Sequence, residues 1–129
     1  MLHWSNKYLS VPYKNMNCSK FVEYVLKDHF GIIFNFPQTE GTLFAQSELI
    51  KEAIPVFSSY PEKANDPEDG DLVLMHGLRR MCHVGMYVKI KNISYVLHSE
   101  SKIGSSCLHR FDDLKYYGMK LEGVYKWLK

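Results

Sequence analysis

The sequence has few of the patterns that mark disulfide-bonded, metal-stapled, membrane-spanning or nucleic-acid-binding proteins. It has three cysteines, an odd number, and no Cys-x-x-Cys pair, so neither a disulfide framework nor a zinc knuckle is indicated. No stretch approaches the ~20 apolar residues of a membrane span, and the first residues lack the apolar run of a signal peptide. The net charge is only +2, which gives no argument for a nucleic-acid partner.

What is present is the composition of an ordinary folded domain. Hydrophobic residues make up 46% and charged residues 23% of the 129 positions, so we expect a single domain over residues 1–129 with its own core. Helices come first and antiparallel strands later, which predicts an α+β domain. The predicted elements are helices over Leu2–Leu9, from Cys18 to near Gly31, and over Thr42–Ala53, strands over Leu72–Met75, Cys82–Ile90, Ile93–Ser99, Cys107–Phe111 and Leu121–Leu128, and a helical turn over Asp112–Tyr117.

The predicted helix that opens at Cys18 carries the candidate nucleophile. Asn17, or Asn15 two residues earlier, is placed to cap the free amides of its first turn. The positive end of the helix, with Lys14 and Lys20 nearby, favours thiolate over thiol. The alternative is that Cys18 is a small buried hydrophobe, and this stretch alone leaves both open. The apolar helix face that follows Cys18 consists of Phe21, Val22, Val25 and Leu26, with His29 at its end.

Two histidines lie on the next predicted hairpin, and the length of its turn decides whether they meet. A two-residue turn at Lys91–Asn92 sets position 85 opposite position 98, and a four-residue turn sets position 83 there. Either even length puts His83 and His98 on one face of the sheet, whereas an odd length separates them. The other face of Cys82–Ile90 is apolar throughout, so we expect it to be the core and the histidine face to meet something polar or reactive. Gly85 leaves room there for a backbone or a ligand.

A cysteine followed by two histidines supplies the three groups that thiol-dependent acyl transfer needs. The thiolate requires a neighbour that takes its proton and later protonates the leaving amine, and imidazole titrates near neutral pH. The second histidine would hold the first in its productive tautomer. Taken singly, each histidine is better interpreted as core or surface filler. The shared face strengthens the case for the pair.

Five blocks of the sequence carry a resemblance to a known family. They are Val11-Pro12-Tyr13, Cys18-Ser19 with Phe21-Val22, Gly70-Asp71-Leu72-Val73, His83-Val84-Gly85-Met86-Tyr87 and Leu97-His98-Ser99. In this order they resemble the NlpC-type cell-wall cysteine peptidases, a papain-like family, over nearly the whole chain. Through Phe30-Gly31-Ile32 and Glu122-Gly123-Val124-Tyr125-Lys126-Trp127, the chain is also similar to the short single-domain hydrolases encoded in tail modules of bacteriophages and prophages.

The resemblance implies a fold, a reaction and a role for each site residue. The fold is papain-like, with N-terminal helices that carry the nucleophile packed on an antiparallel sheet or partial barrel. Cys18 is the implied nucleophile, His83 the general base and His98 the orienting residue. Tyr13 lines the cleft and helps the Cys18 backbone N–H bind the oxyanion. The implied substrate is the peptide stem of peptidoglycan, commonly cut between γ-D-glutamyl and a diamino acid through an acyl-enzyme, and no metal or organic cofactor is implied.

The chain departs from the family in two places. Where members often have Asp-Cys-Ser-Gly, it has Asn17-Cys18-Ser19-Lys20, which removes the acidic residue associated with gripping a free amine of the substrate. The usual dipeptide specificity is therefore not implied, and Asn17 and Ser19 are candidate substrate contacts. The basic loop around Arg79 and Arg80 is not explained by the core mechanism. One hypothesis is that it binds a substrate carboxylate, and the other is that it is a solvated loop.

Two other functions remain open at this point. One is an amidase that cuts between the sugar and the first amino acid of the stem, and the other is a phage-tail or assembly component that keeps the fold with little activity. The expected partners are the peptidoglycan peptide and phage tail proteins. The expected locations are a phage virion or tail, or the bacterial cytoplasm before delivery to the cell wall.

The remaining histidines and cysteines are interpreted as structural. His3, His29, His76 and His109 are expected to be structural or exposed, and Cys82 is expected to be an inert core thiol. A zinc site built from Cys82, His83, Cys107 and His109 is disfavoured, because adjacent residues of a strand point to opposite faces.

Overall fold

A computed structural model describes residues 3–35, 66–77 and 82–126, which form an open antiparallel sheet with helical segments on both faces. The expected α+β architecture is confirmed. The five strands pair in the order β4-β3-β2-β1-β5. The elements are a 3₁₀ helix over Trp4–Tyr8, α1 over Cys18–Val25 continued by a π-helical turn over Leu26–Phe30, β1 over Leu72–Gly77, β2 over Cys82–Ile90, β3 over Ile93–Glu100, β4 over Ser105–Arg110, a second 3₁₀ helix over Phe111–Tyr117, and β5 over Met119–Tyr125.

Helix α1 packs on the sheet because its apolar residues share one side. Phe21, Val22 and Val25 are fully buried. They lie in one cluster with Val84 and Met86 of β2, so the expected core face of this strand is confirmed. Gly31, with φ of +68°, ends the helical segment as expected. The predicted helix over Thr42–Ala53 lies outside the described residues.

The opposite face of the sheet is also buried, which the sequence reasoning did not anticipate. There Leu114 of the second 3₁₀ helix packs against apolar strand residues, and together they form a second buried cluster. The expectation of a polar or reactive histidine face was therefore wrong for most of this face. Polar side chains gather at one end of it, around His83 and His98. The strand residues of the cluster are Val73, Met75, Tyr87, Val96 and Val124.

The hairpin of β2 and β3 turns through Lys91 and Asn92, which have φ of +51° and +65°. Left-handed conformations at both positions make the tight turn that matches the twist of a hairpin. The resulting register pairs Met86 with Leu97, which sets Gly85 opposite His98. The two-residue alternative is therefore the one that the chain adopts.

The ladder between β2 and β3 ends at Met86 and Leu97. Continued in the same register, it would pair Val84 with Ser99. Beyond the last pair of the ladder, the side-chain hydroxyl of Ser99 donates a hydrogen bond of 2.8 Å to the carbonyl of Met16, just before α1. The segment that leads into α1 is thus attached to the end of β3, which brings the start of the helix to the place where the ladder stops.

None of the helices in the described ranges has both the length and the apolar character to cross a membrane.

Candidate active site

Cys18 is the first residue of α1, and Asn17 caps that helix as expected. The Asn17 side-chain oxygen accepts hydrogen bonds of 3.1 Å from the Lys20 backbone N–H and of 3.1 Å from the Ser19 hydroxyl. Burial raises the pKa of the Cys18 thiol. The backbone N–H groups of Val84 and Ser19 act in the opposite direction, because they stabilise the thiolate form. The sulfur therefore lies against β2 at Val84, the residue that follows His83 in the chain.

The helix end favours the thiolate as expected, through the backbone N–H groups of Cys18 and Ser19, but the net pKa of the thiol is raised. Desolvation of the sulfur outweighs the backbone donors, and the Glu100 carboxylate adds to the rise of the thiol pKa. Lys20 has its own partner, since its Nζ lies 3.3 Å from a Glu23 carboxylate oxygen. At neutral pH Cys18 is therefore a thiol, and it would need a base to act as a nucleophile.

His83 and His98 meet as the even-length turn predicts. The Nε2 of His83 and the Nδ1 of His98 are 2.7 Å apart, a short hydrogen bond. Burial lowers the pKa of His83 to about 4, while Glu100 raises it and His109 lowers it further. Burial also holds the pKa of His98 well below its usual range, with the His83 and His109 charges acting the same way. His83 is thus neutral at pH 7, and because its Nε2 faces His98, Nδ1 is the ring nitrogen left to act as an acceptor.

His109 extends this pair to three rings. Its Nδ1 lies 2.9 Å from the Nε2 of His98, and its ring stacks on Tyr117 with centroids 4.0 Å apart. At 9% exposure it is not the surface residue that the sequence suggested as one possibility. The signal that could have found it is the register of β3 and β4, which pairs His98 with Cys107 and so places His109 diagonally on the same face.

Glu100 is the second site residue that sequence reasoning missed. One of its carboxylate oxygens lies 3.9 Å from the Nε2 of His83, and its side chain is only 8% exposed. The backbone N–H of Lys102 donates to the other oxygen at 3.0 Å. A buried carboxylate there disfavours the Cys18 thiolate and favours a protonated His83, so it would stabilise a positive charge on that ring.

Tyr13 lies close enough to Cys18 for their charges to interact. Burial raises the pKa of its phenol, and the charges of Cys18 and Glu100 raise it further. Its backbone N–H donates to the Gly104 carbonyl at 2.9 Å, which ties it to the turn between β3 and β4. The substrate contacts of Tyr13, Asn17 and Ser19 stay predictions, as do those of Arg79 and Arg80, which lie outside the described residues.

Two clusters at the site have the residue types of a metal site. They are His98, Cys107 and His109, and His83, His98 and Glu100, and in each the donor atoms lie within 4.8 Å of one another. Two imidazole nitrogens on one tetrahedral zinc ion would stand ~3.3 Å apart at the usual bond lengths. The observed spacings between ring nitrogens, 2.9 Å in the first cluster and 2.7 Å in the second, are hydrogen-bond distances, so both clusters fit a shared proton better than a shared ion.

The other described histidines have structural partners, in line with their interpretation. The His3 ring accepts a hydrogen bond from the Ser5 backbone N–H at the start of the first 3₁₀ helix. His29 stacks on Trp4, with ring centroids 4.4 Å apart. The Nδ1 of His76 lies 3.0 Å from a carboxylate oxygen of Glu122.

Comparison with known proteins connects this geometry to a family. The family model described as NlpC/P60 matches residues 4–113, a range that contains Cys18, His83, His98 and His109. None of the curated proteins matches the chain. Proteins of the matched family are generally cysteine peptidases or amidases that act on cell-wall peptides.

Proposed function

The chain belongs to the NlpC/P60 family, and on that premise we propose that it hydrolyses an amide bond in the peptide stem of peptidoglycan. The proposed bond joins γ-D-glutamyl to a diamino acid. Cys18 is the proposed nucleophile, His83 the general base and His98 the orienting residue. The observation that carries the proposal is the 2.7 Å hydrogen bond between His83 and His98, on the strand whose Val84 N–H faces the Cys18 sulfur.

The first step is attack of sulfur on the substrate carbonyl. The Cys18 thiol gives its proton to the Nδ1 of neutral His83 as the carbon–sulfur bond forms. The carbonyl oxygen becomes an oxyanion at the positive end of α1. There the Cys18 backbone N–H and the Tyr13 hydroxyl are the proposed donors.

The second half of the reaction returns the enzyme to its starting state. Protonated His83 gives its proton to the leaving amine as the carbon–nitrogen bond breaks, which leaves an acyl group on Cys18. Water then attacks the thioester carbonyl and passes its proton to His83. The carbon–sulfur bond breaks, the sulfur recovers a proton from His83, and the peptide carboxylate leaves. Glu100 supports the charge on His83 whenever that residue is protonated.

Digestion of purified sacculi tests the proposal. The wild type should release fragments in which mass spectrometry finds a new γ-D-glutamyl carboxylate and a free amine on the diamino acid. Cys18→Ala should release none. Lys89→Ala, which removes an exposed side chain near the hairpin turn at the far end of β2, should digest as the wild type does.

The same digestion separates the other functions. Sugar chains freed of whole stem peptides would point to an amidase that cuts at the first amino acid. No release by the wild type, under conditions in which the protein is folded, would favour a structural component over an enzyme.

The basic loop is proposed to select substrates with a free carboxylate, since paired guanidinium groups bind carboxylates well. Arg79→Ala and Arg80→Ala should each reduce the preference for muropeptides that carry that carboxylate over amidated ones. If both variants kept the preference unchanged, the loop would be a solvated loop with no role in substrate selection.

Delivery in a phage virion or tail, with tail proteins as partners, stays a proposal that depends on the resemblance of residues 30–32 and 122–127. The bacterial cytoplasm before delivery to the wall is the proposed alternative location.

A further inference from the structure

The three hydrogen-bonded histidines form a chain that can run in either of two directions. His83 bonds to His98 through Nε2 and Nδ1, and His98 bonds to His109 through the same pair of atoms. A neutral imidazole carries one proton, so it donates through one nitrogen and accepts through the other. Either every ring donates from Nε2 toward His109, or every ring donates from Nδ1 toward His83.

Only one of these directions is compatible with a base at His83. If His98 donated from Nδ1, the Nε2 of His83 would be the acceptor, and the His83 proton would sit on Nδ1. That nitrogen could then take nothing from the Cys18 thiol. If His98 accepts at Nδ1, it must hold its own proton on Nε2, and that proton needs an acceptor inside the protein.

We propose that His109 is a positioning residue, whose Nδ1 accepts the Nε2 proton of His98 and so fixes the tautomer that leaves the Nδ1 of His83 free to act as the base. The inference rests on the proposed function, since it assigns a direction to the same proton path. It adds a residue that affects the Cys18 thiol indirectly, through the rings of His98 and His83.

The surroundings of His109 suit that role. The ring is nearly buried and held by the 4.0 Å stack on Tyr117, so its Nδ1 is kept at a fixed angle to His98. At the inner end of the chain, Glu100 lies 3.9 Å from the Nε2 of His83. A carboxylate favours a proton on the nitrogen that it faces, so Glu100 favours the direction in which each ring donates from Nε2 toward His109.

Two substitutions separate the acceptor from the bulk of the ring. His109→Phe keeps an aromatic ring on Tyr117 and removes the acceptor, whereas His109→Asn keeps an oxygen near the place of Nδ1. With sacculi as substrate, the kcat of His109→Phe should fall about tenfold to a hundredfold, and KM should change little. The same range is typical for loss of a residue that orients a metal-bound histidine. His109→Asn should recover most of that loss. An Asn variant as slow as the Phe variant, at equal thermal stability, would reduce His109 to a packing residue.

The tautomer itself can be read without any substrate. Long-range ¹H–¹⁵N NMR spectra of the wild type at neutral pH should assign the His98 proton to Nε2, and the Phe variant should lose that single assignment. A wild-type His98 that holds its proton on Nδ1 would overturn the inference. If the wild type released nothing from sacculi, the proposed function would fail. The NMR assignment and the Cys18 alkylation rate of the two variants would still decide the role of His109.

Discussion

Gly85 lies opposite His98 on neighbouring strands, and a side chain at position 85 would collide with it. A Cβ built on Gly85 would come within 3.0 Å of the His98 Cβ and 2.5 Å of a Val96 methyl carbon. The sequence suggested that this glycine admits a ligand or another backbone. The backbone of β3 does approach it, since the Leu97 carbonyl oxygen would lie 3.0 Å from the same Cβ, and the rest of the space is taken by Val96 and His98. Gly85 thus lets the second histidine approach the strand of the first.

Gly85→Ala should therefore cost stability and activity together. Overpacking of this kind costs about 1–3 kcal/mol, which urea denaturation would measure. The kcat on sacculi should fall too, because the His98 ring must shift away from His83. Adding Val96→Ala removes the nearest clash, so the double variant should regain part of the stability. Strictly additive losses would contradict this account.

Alkylation of Cys18 should depend on pH as a neutral thiol does. Because burial raises the pKa of this thiol, the rate with iodoacetamide should climb about tenfold per pH unit through neutral pH. Trypsin releases Cys18 in the peptide Asn15–Lys20, whose mass reports its labelling separately from the other cysteines. A rate plateau reaching down to acid pH would instead indicate a thiolate paired with a protonated histidine. Cys18→Ala gives the background.

Acid should destabilise the fold through its buried histidines. His83 has a pKa of about 4 when folded against 6.5 when unfolded, so between these values the unfolded chain binds a proton that the folded one does not. The free energy of unfolding should thus fall as pH drops from about 6.5 to about 4, by on the order of 3 kcal/mol for this group. His98 and His109 shift in the same direction.

Urea denaturation at several pH values would measure this loss. His83→Gln removes one titrating ring, so its stability should change less with pH than that of the wild type. If the free energy of unfolding changed equally with pH in the two proteins, the proton would bind to a group other than His83.

Asn17→Asp should keep the helix cap and change the choice of substrate. Asp caps as well as Asn, so stability should change by less than about 0.5 kcal/mol, whereas Asn17→Ala should lose about 1 kcal/mol. The added carboxylate should lower KM for stem peptides with a free N-terminal amine relative to their acetylated forms. Kinetics on the matched pair measures this preference. If the ratio of KM for the free-amine peptide to KM for its acetylated form did not change, residue 17 would have no part in recognition of the amine.

The parts of the site that local patterns determine could be predicted from the sequence. Strand β2 over Cys82–Ile90 follows from its alternation, and its pairing with His98 follows from a short turn of even length. The cap at Asn17 follows from the preference of helix starts for short polar side chains. Each of these depends on neighbours close in the chain.

The parts that depend on β4 could not be predicted. The stretch Ser101–Ser106 has no apolar alternation to set a register, and its turn depends on Gly104 at φ of +87°. Without that register, His109 could not be placed beside His98. The net rise of the thiol pKa could not be predicted for a related reason, because burial of the Cys18 sulfur is a property of the assembled fold and not of its helix end.

The end of the β2–β3 ladder at Met86 and Leu97 has a consequence for how the protein acquires its reactivity. A hairpin zips outward from its turn, since contacts close in the chain form at the least entropic cost. We therefore expect Ser99 to be among the last residues of β3 to be ordered, since Met16 is 83 residues away from it in the chain. The segment that carries the Cys18 sulfur should then join the paired imidazoles late in folding, when the contact between Met16 and Ser99 forms.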